Sequence, residues 1–266
     1  MNVFNFIPEG IEECSVTAWI HTYAGVDTES PKKPAIIICP GGGYTHIAVR
    51  ESEPVARPYF AVGYNTFILN YSVGDRAKEF RPLCQLAATI AHIRKYSDEL
   101  NTLGDRIAVC GFSAGGHLAA SLGTLYNEPK FLECFGRTDH IRPDAMILCY
   151  PVITSDEYAH AGTIGRVSGA KTGSEEYAWF GLDRHVGAQT PPTFIWHTAD
   201  DKAAVVENSL KMCLALSKAE IPFEYHVFPN GGHGMSVCTK EVGTPSDYNA
   251  RWVEWSIEWL NKMFSA

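Results

Sequence analysis

The sequence predicts an α/β fold, with a mostly parallel central sheet and helices on both of its faces. Two observations carry this. From about Pro34 onward, short apolar runs alternate with longer amphipathic segments, the order expected of strands joined by covering helices. The runs are also apolar nearly throughout, as strands buried on both faces are, and not only at every second residue. A chain of 266 residues with 45% hydrophobic content can bury a substantial core, and a single domain over residues 1–266 is expected.

In chain order, Ser15–Tyr23 reads as an antiparallel edge strand. The buried strand candidates are Ala35–Cys39, Asn65–Tyr71, Arg106–Cys110, Ala145–Tyr150, Thr193–His197 and Glu224–Phe228, each rich in Ile, Val, Phe or Leu. Between them, Leu83–Leu100, Val206–Ala219 and Ala250–Phe264 place apolar residues three and four apart, the stripe of a helix lying on a sheet. Trp252, Trp255 and Trp259 share one face of the last segment, and core packing accounts for that spacing. Ile153–Pro192 breaks the rhythm with Gly, Ser and Thr. It is too long for a structureless loop, so it is expected to be a small insertion, a cap or lid over the site at about 153–192.

The formal net charge of −8 and the lack of a basic run argue against nucleic acid as a partner. The eight cysteines show no regular spacing and several sit in apolar runs, so reduced, buried thiols are expected. With no C-x-x-C or Cys/His cluster, neither a metal nor another cofactor is called for. Met1–Glu13 lacks the layout of an export signal, and no apolar stretch approaches the length of a bilayer span, so no membrane partner and a cytoplasmic location are expected.

The strongest local signal is Gly111-Phe112-Ser113-Ala114-Gly115, directly after the strand candidate ending at Cys110 and before a helix candidate starting near Gly116. G-x-S-x-G between a strand and a helix forms a tight, strained turn that lifts the serine hydroxyl above the sheet. Such a hydroxyl needs a base to take its proton and a third group to orient the base. The later strands supply both, in the order acid then histidine. Thr198-Ala199-Asp200-Asp201 follows the strand at Thr193–His197, and Pro229-Asn230-Gly231-Gly232-His233-Gly234 follows Glu224–Phe228. Loops at strand carboxyl ends are where open α/β sheets bind ligands, so Ser113, His233 and one of Asp200 and Asp201 can converge. Spacing alone does not choose between the two aspartates. His117 and His197 read as structural neighbours of the site.

Cleavage of an ester also needs donors aimed at the oxygen that gains charge. Pro40-Gly41-Gly42-Gly43-Tyr44 follows the strand Ala35–Cys39 and offers backbone N–H groups free of side chains. Gly42 and Gly43, with Ala114 after the serine, are the expected oxyanion hole. A plain glycine-rich turn and a phosphate loop are the competing readings of the glycines, but the Lys and Ser/Thr of the phosphate motif are missing. Arg50 and Glu51 are expected to form a structural ion pair near this loop.

These pieces resemble the alpha/beta-hydrolase family, in particular small carboxylesterases of the acetylxylan-esterase-like and hormone-sensitive-lipase-like kinds. The resemblance rests on Cys39–Tyr44, Arg50–Ala56, Gly111–Ala119, Trp196–Asp201 and Gly232–Gly234, and runs from about Ala35 to the carboxyl terminus. Such enzymes place the acid four residues after the histidine of the histidine-to-aspartate turn, which here selects Asp201. Two departures are Pro40, where relatives begin His-Gly-Gly-Gly, and Val205, where they often carry Pro; neither removes a catalytic group. The resemblance implies a serine ester hydrolase acting on small-molecule esters, with short-chain acetyl esters of sugars or xylo-oligosaccharides as the suggested substrates. A feruloyl esterase, a small serine peptidase and an inactive hydrolase-fold binding protein are the alternatives. The sequence leaves the oligomeric state open.

Overall fold

Successive residues of the central strands point to opposite sides, and here both sides are apolar. Ile36 and Ile38 enter one core cluster and Ile37 the other; Ala108 and Cys110 are split from Val109 in the same way, and Phe194 and Trp196 from Ile195. A sheet with two greasy faces must be covered twice, and the chain does so with helices. The structure is a computed structural model and describes residues 1–22, 31–136 and 140–265.

The strands are β1 (Asn2–Phe6), β2 (Ser15–Ile20), β3 (Lys33–Cys39), β4 (Asn65–Asn70), β5 (Thr102–Phe112), β6 (Ala145–Cys149), β7 (Thr193–Thr198) and β8 (Phe223–Phe228). They form one sheet in the order β1-β2-β4-β3-β5-β6-β7-β8. The β1–β2 and β2–β4 pairs are antiparallel and the other pairs parallel. The helices are α1 (Glu53–Ala61), α2 (Arg81–Lys95), α3 (Ala114–Leu125), α4 (Pro129–Phe135), α5 (Ala161–Ser168), α6 (Glu175–Trp179), α7 (Glu207–Lys218) and α8 (Arg251–Ser265). Leu86 of α2, Leu122 of α3 and Leu216 of α7 pack on one face of the sheet; Tyr59 of α1 and Trp252 and Trp259 of α8 pack on the other. Every residue of α3 is buried, as expected of a helix that is apolar all round.

The alpha/beta-hydrolase architecture expected from the sequence is present, with two differences in detail. β2 is not an edge strand, because β1 pairs outside it. The tail of the expected Ser15–Tyr23 strand also reaches Tyr23, which lies outside the described residues. The segment 153–192 is more regular than its composition suggests. It holds α5, α6 and a 3₁₀ turn at Leu182–Arg184, and it sends Ile164, Tyr177 and Leu182 into the core. The tryptophan row packs as expected, with Trp252 stacked on Trp196 and Trp255 on His226 and Phe228.

The strand order fixes where a site can form. From β3 the chain moves outward to β4, then crosses back to β5 on the other side of β3, so the loops after β3 and β5 leave in opposite directions and open a crevice between them. The Pro40–Tyr44 run leaves β3 and Ser113 leaves β5 at that crevice.

Candidate active site

Ser113 follows β5 with φ 52° and ψ −115°, a backbone conformation that L-residues rarely adopt. The surroundings hold it there. Its N–H donates to the Cys149 carbonyl at 3.0 Å, and its carbonyl accepts from His117 N–H at 3.0 Å and Val152 N–H at 3.2 Å. Gly115 makes the turn possible, because a Cβ there would lie 2.0 Å from the Cys39 carbonyl oxygen. The serine side chain is thereby presented at the crevice while the residue stays only 9% exposed.

His233 arrives from the loop after β8. Its Nε2 lies 2.7 Å from Ser113 Oγ, and its Nδ1 lies 2.6 Å from Asp201 Oδ2. An ionised carboxylate can only accept, so Nδ1 carries the proton and Nε2 is free to accept from the serine hydroxyl. Asp201 comes from the turn after β7 and is completely held: His197 Nε2 lies 3.2 Å from Oδ2, and Ala203 N–H and Ala204 N–H donate to Oδ1 at 2.8 and 3.1 Å. Burial works against its charge, but the hydrogen bonds from His197 and His233 and the attraction to His233 outweigh burial and keep the carboxyl well below its usual range.

Asp200 points elsewhere. Its carboxylate accepts Gly232 N–H at 2.9 Å and Gly231 N–H at 3.2 Å, which pins the loop carrying His233. The two aspartates thus divide the work, one facing the imidazole and one holding the backbone beneath it. His197, read from the sequence only as a neighbour, bonds Asp201 directly, and its own Nδ1 accepts from Ser209 Oγ at 2.8 Å. His117 lies fully buried between the Tyr44 hydroxyl and the Phe180 carbonyl, each at 3.1 Å, and burial pushes its pKa down to about 4.

The glycine run after β3 meets the serine at Gly41, where a Cβ would lie 3.0 Å from Ser113 Cβ. Gly42 has φ +119°, and a Cβ there would lie 2.0 Å from the His46 carbonyl oxygen, so only glycine fits. Gly42 O accepts from Thr45 N–H at 2.8 Å, which closes the turn. Among the described residues, the N–H groups of Gly42, Gly43 and Ala114 meet no protein acceptor. At Ala114 this is the ordinary state of a first helical residue. The segment 153–192 touches this loop: Arg166 Nη1 of α5 donates to the Gly43 carbonyl at 2.8 Å.

One expectation fails here. Glu51 does not pair with Arg50; its carboxylate turns inward, is only 2% exposed, and accepts Gly41 N–H at 2.8 Å and the Tyr150 hydroxyl at 2.7 Å. Arg50 stays exposed, with its guanidinium over Gly234. Burial pushes the Glu51 carboxyl up, against the lowering effect of Tyr150 and Gly41. Sequence spacing gave no sign of either Glu51 or Tyr150, because a charged residue beside an arginine reads as a surface pair and a tyrosine ending a strand reads as packing.

Chemically, a hydroxyl held by an imidazole, itself held by a buried carboxylate, can lose its proton as it attacks an acyl carbon. Nearby N–H groups without acceptors can receive the oxygen that becomes negative. Residues 22–216 match the BD-FAE family. Endo-1,4-beta-xylanase B of Butyrivibrio fibrisolvens is 34% identical over 227 residues, which cover 82% of this chain and 35% of that protein. An acetylxylan esterase of Xylanibacter ruminicola is 29% identical over 224 residues, 79% of this chain and 43% of its own length. The chain therefore spans roughly a third to two fifths of these curated relatives. Among solved structures, an acetyl ester-xyloside bifunctional hydrolase from Caldicellulosiruptor lactoaceticus matches with TM-score 0.81 and 36% identity, over 94% of this chain and 88% of that one. An alpha/beta hydrolase from a deep-sea metagenome library matches with TM-score 0.81 and 31% identity, over 100% and 99%.

Proposed function

The chain belongs to the BD-FAE family and has the alpha/beta-hydrolase fold, and on that premise we propose that it is a serine carboxylesterase. It removes short acyl groups, acetyl above all, from sugars or xylo-oligosaccharides. The observation that carries the reading is the unbroken hydrogen-bond line Ser113 Oγ–His233–Asp201, at 2.7 and 2.6 Å. The names of the relatives support the substrate class, since one is an acetylxylan esterase and another an acetyl ester-xyloside hydrolase.

The reaction runs in two halves. His233 takes the Ser113 proton as Oγ bonds to the ester carbonyl carbon, and the carbonyl oxygen, now negative, accepts from the N–H groups of Gly42, Gly43 and Ala114. The tetrahedral intermediate collapses, the C–O bond to the alcohol breaks, and His233 returns the proton to the leaving oxygen. Water then attacks the acyl-serine by the same route. Asp201 keeps the imidazole in the required tautomer and balances its charge while it holds two protons. The segment 153–192 acts as a cap within this one domain, with Arg166 bracing the oxyanion loop from above.

No helix among the described residues is long and apolar enough to cross a membrane. The test is a substrate panel: p-nitrophenyl acetate, acetylated xylo-oligosaccharides, feruloylated oligosaccharides and an aminoacyl-p-nitroanilide. The proposal expects turnover of the two acetyl esters. Preferred release of ferulate would move the chain to feruloyl esters, turnover of the anilide alone would make it a peptidase, and turnover of none would leave a binding protein.

A further inference from the structure

Glu51 takes no part in the proton transfers above, yet it is the acidic side chain buried beneath the glycine loop. Its two oxygens face in different directions. Oε2 accepts Gly41 N–H at 2.8 Å, at the root of the oxyanion loop; Oε1 accepts the Tyr150 hydroxyl at 2.7 Å. The same Tyr150 oxygen accepts Ser236 N–H at 2.8 Å, three residues beyond His233. One chain of hydrogen bonds therefore runs from the loop that carries the expected oxyanion donors to the loop that carries the imidazole.

The groups along it are tightly placed. A Cβ on Gly41 would meet Glu51 Oε2 at 2.7 Å and Ser113 Cβ at 3.0 Å, so Gly41 is wedged between carboxylate and serine. Tyr150 has φ +37°, and its ring meets His233 edge to face at 5.1 Å and Trp196 at 5.0 Å. Ser236 is fully buried with φ +51°; its hydroxyl donates to the Arg50 carbonyl and its own carbonyl accepts Trp252 Nε1–H at 2.9 Å. The ionised form of Glu51 suits this arrangement, because its two oxygens face two donors, Gly41 N–H and the Tyr150 hydroxyl. The charge also lies close enough to His233 for the two to attract.

We infer that Glu51 is a positioning residue, which through Gly41 and Tyr150 sets the distance between the oxyanion loop and the His233 loop and adds a second buried negative charge behind the imidazole. This rests on the serine-esterase reading and deepens it. Both loops must hold their places only while charge is separated between the oxyanion and the imidazolium, so loss of the brace acts on the transition state more than on substrate binding.

The test uses Glu51→Gln, Tyr150→Phe and the double variant, read by kcat and KM on p-nitrophenyl acetate and by the rate at which a fluorophosphonate labels Ser113. The inference expects each single variant to lower kcat and labelling by about 10- to 100-fold, the scale of a small misplacement of reacting groups, with KM changed less than about threefold. It expects the double variant to lose little more than the worse single variant, because both cut one chain. If Glu51→Gln fails to fold, Tyr150→Phe decides, since it removes one hydroxyl from a ring that stays packed. A folded variant with the wild-type kcat, a rise in KM at constant kcat, or multiplicative losses in the double variant would overturn it. A wild-type protein that neither turns over the ester nor takes the label sinks the esterase reading, and this one with it; an active, labelled wild type matched by its variants sinks this one alone.

Discussion

Ile37 pairs with Val109 in the middle of the sheet, and helices cover both faces around them. In the loops beyond the same two strands, Gly42 and Ser113 hold backbone angles that most residues avoid, and Glu51 is fixed by two hydrogen bonds, from Gly41 and Tyr150. The strand bodies gain stability from many small, interchangeable contacts, whereas the loops above them depend on a few irreplaceable atoms. Substitutions in the two regions should therefore separate cleanly, costing stability below and turnover above.

The largest effect is expected at the serine. Ser113→Ala should lower kcat on p-nitrophenyl acetate by about 10⁴- to 10⁶-fold while the thermal midpoint moves by only a few degrees. Comparable turnover in that variant would break the distinction at its strongest point. Next come the adjacent aspartates. Asp201→Asn should cost about 10⁴-fold in kcat, since an amide can present its NH₂ to Nδ1 and stabilise the wrong tautomer. Asp200→Asn, which keeps an acceptor for the Gly231–Gly232 backbone, should cost less than about tenfold. Equal losses at the two positions would mean that the carboxylates are not divided as their contacts indicate.

Below the crevice the pattern should invert. Leu148→Ala in β6 removes a fully buried side chain and should lower unfolding free energy by about 3 kcal/mol in urea, with kcat within about twofold of wild type while the protein stays folded. The smallest effect concerns His117, which straddles both regions. Burial lowers its pKa from 6.5 to about 4, so the unfolded state binds more protons across that window and stability falls as pH drops through it. Between pH 7 and pH 5 this one group should account for about 2 kcal/mol of lost stability. His117→Gln should flatten that part of the profile in urea titrations at the two pH values; an unchanged slope would show that other groups carry it.

The same contrast explains what could be read from the sequence. The five strands β3 to β7 were legible because burial on both faces leaves apolar runs, and β8, an edge strand with Phe223 and Val227 exposed, by its aromatic and β-branched residues. β1 was not, because in Asn2–Phe6 only Phe4 and Phe6 turn toward the core. α1 was hidden by Pro54 and Pro58, which read as breakers although Pro54 occupies the first turn, where the missing N–H costs nothing. In the site, Ser113 and His233 could be named because glycine-flanked turns after strands have few other uses. Glu51 could not, since the partners that give it meaning, Gly41 and Tyr150, lie ten and ninety-nine residues away along the chain. Whether a charged side chain turns inward depends on donors that only folding brings to it.

The central claim is that Ser113 becomes covalently acylated with His233 as its base. Intact-mass and peptide mass spectrometry after exposure to a fluorophosphonate tests it most directly. The account predicts one adduct, on the peptide containing Ser113, formed rapidly in the wild type and nearly lost in His233→Ala. Rapid modification of a different residue, or undiminished labelling of Ser113 without the imidazole, would contradict it.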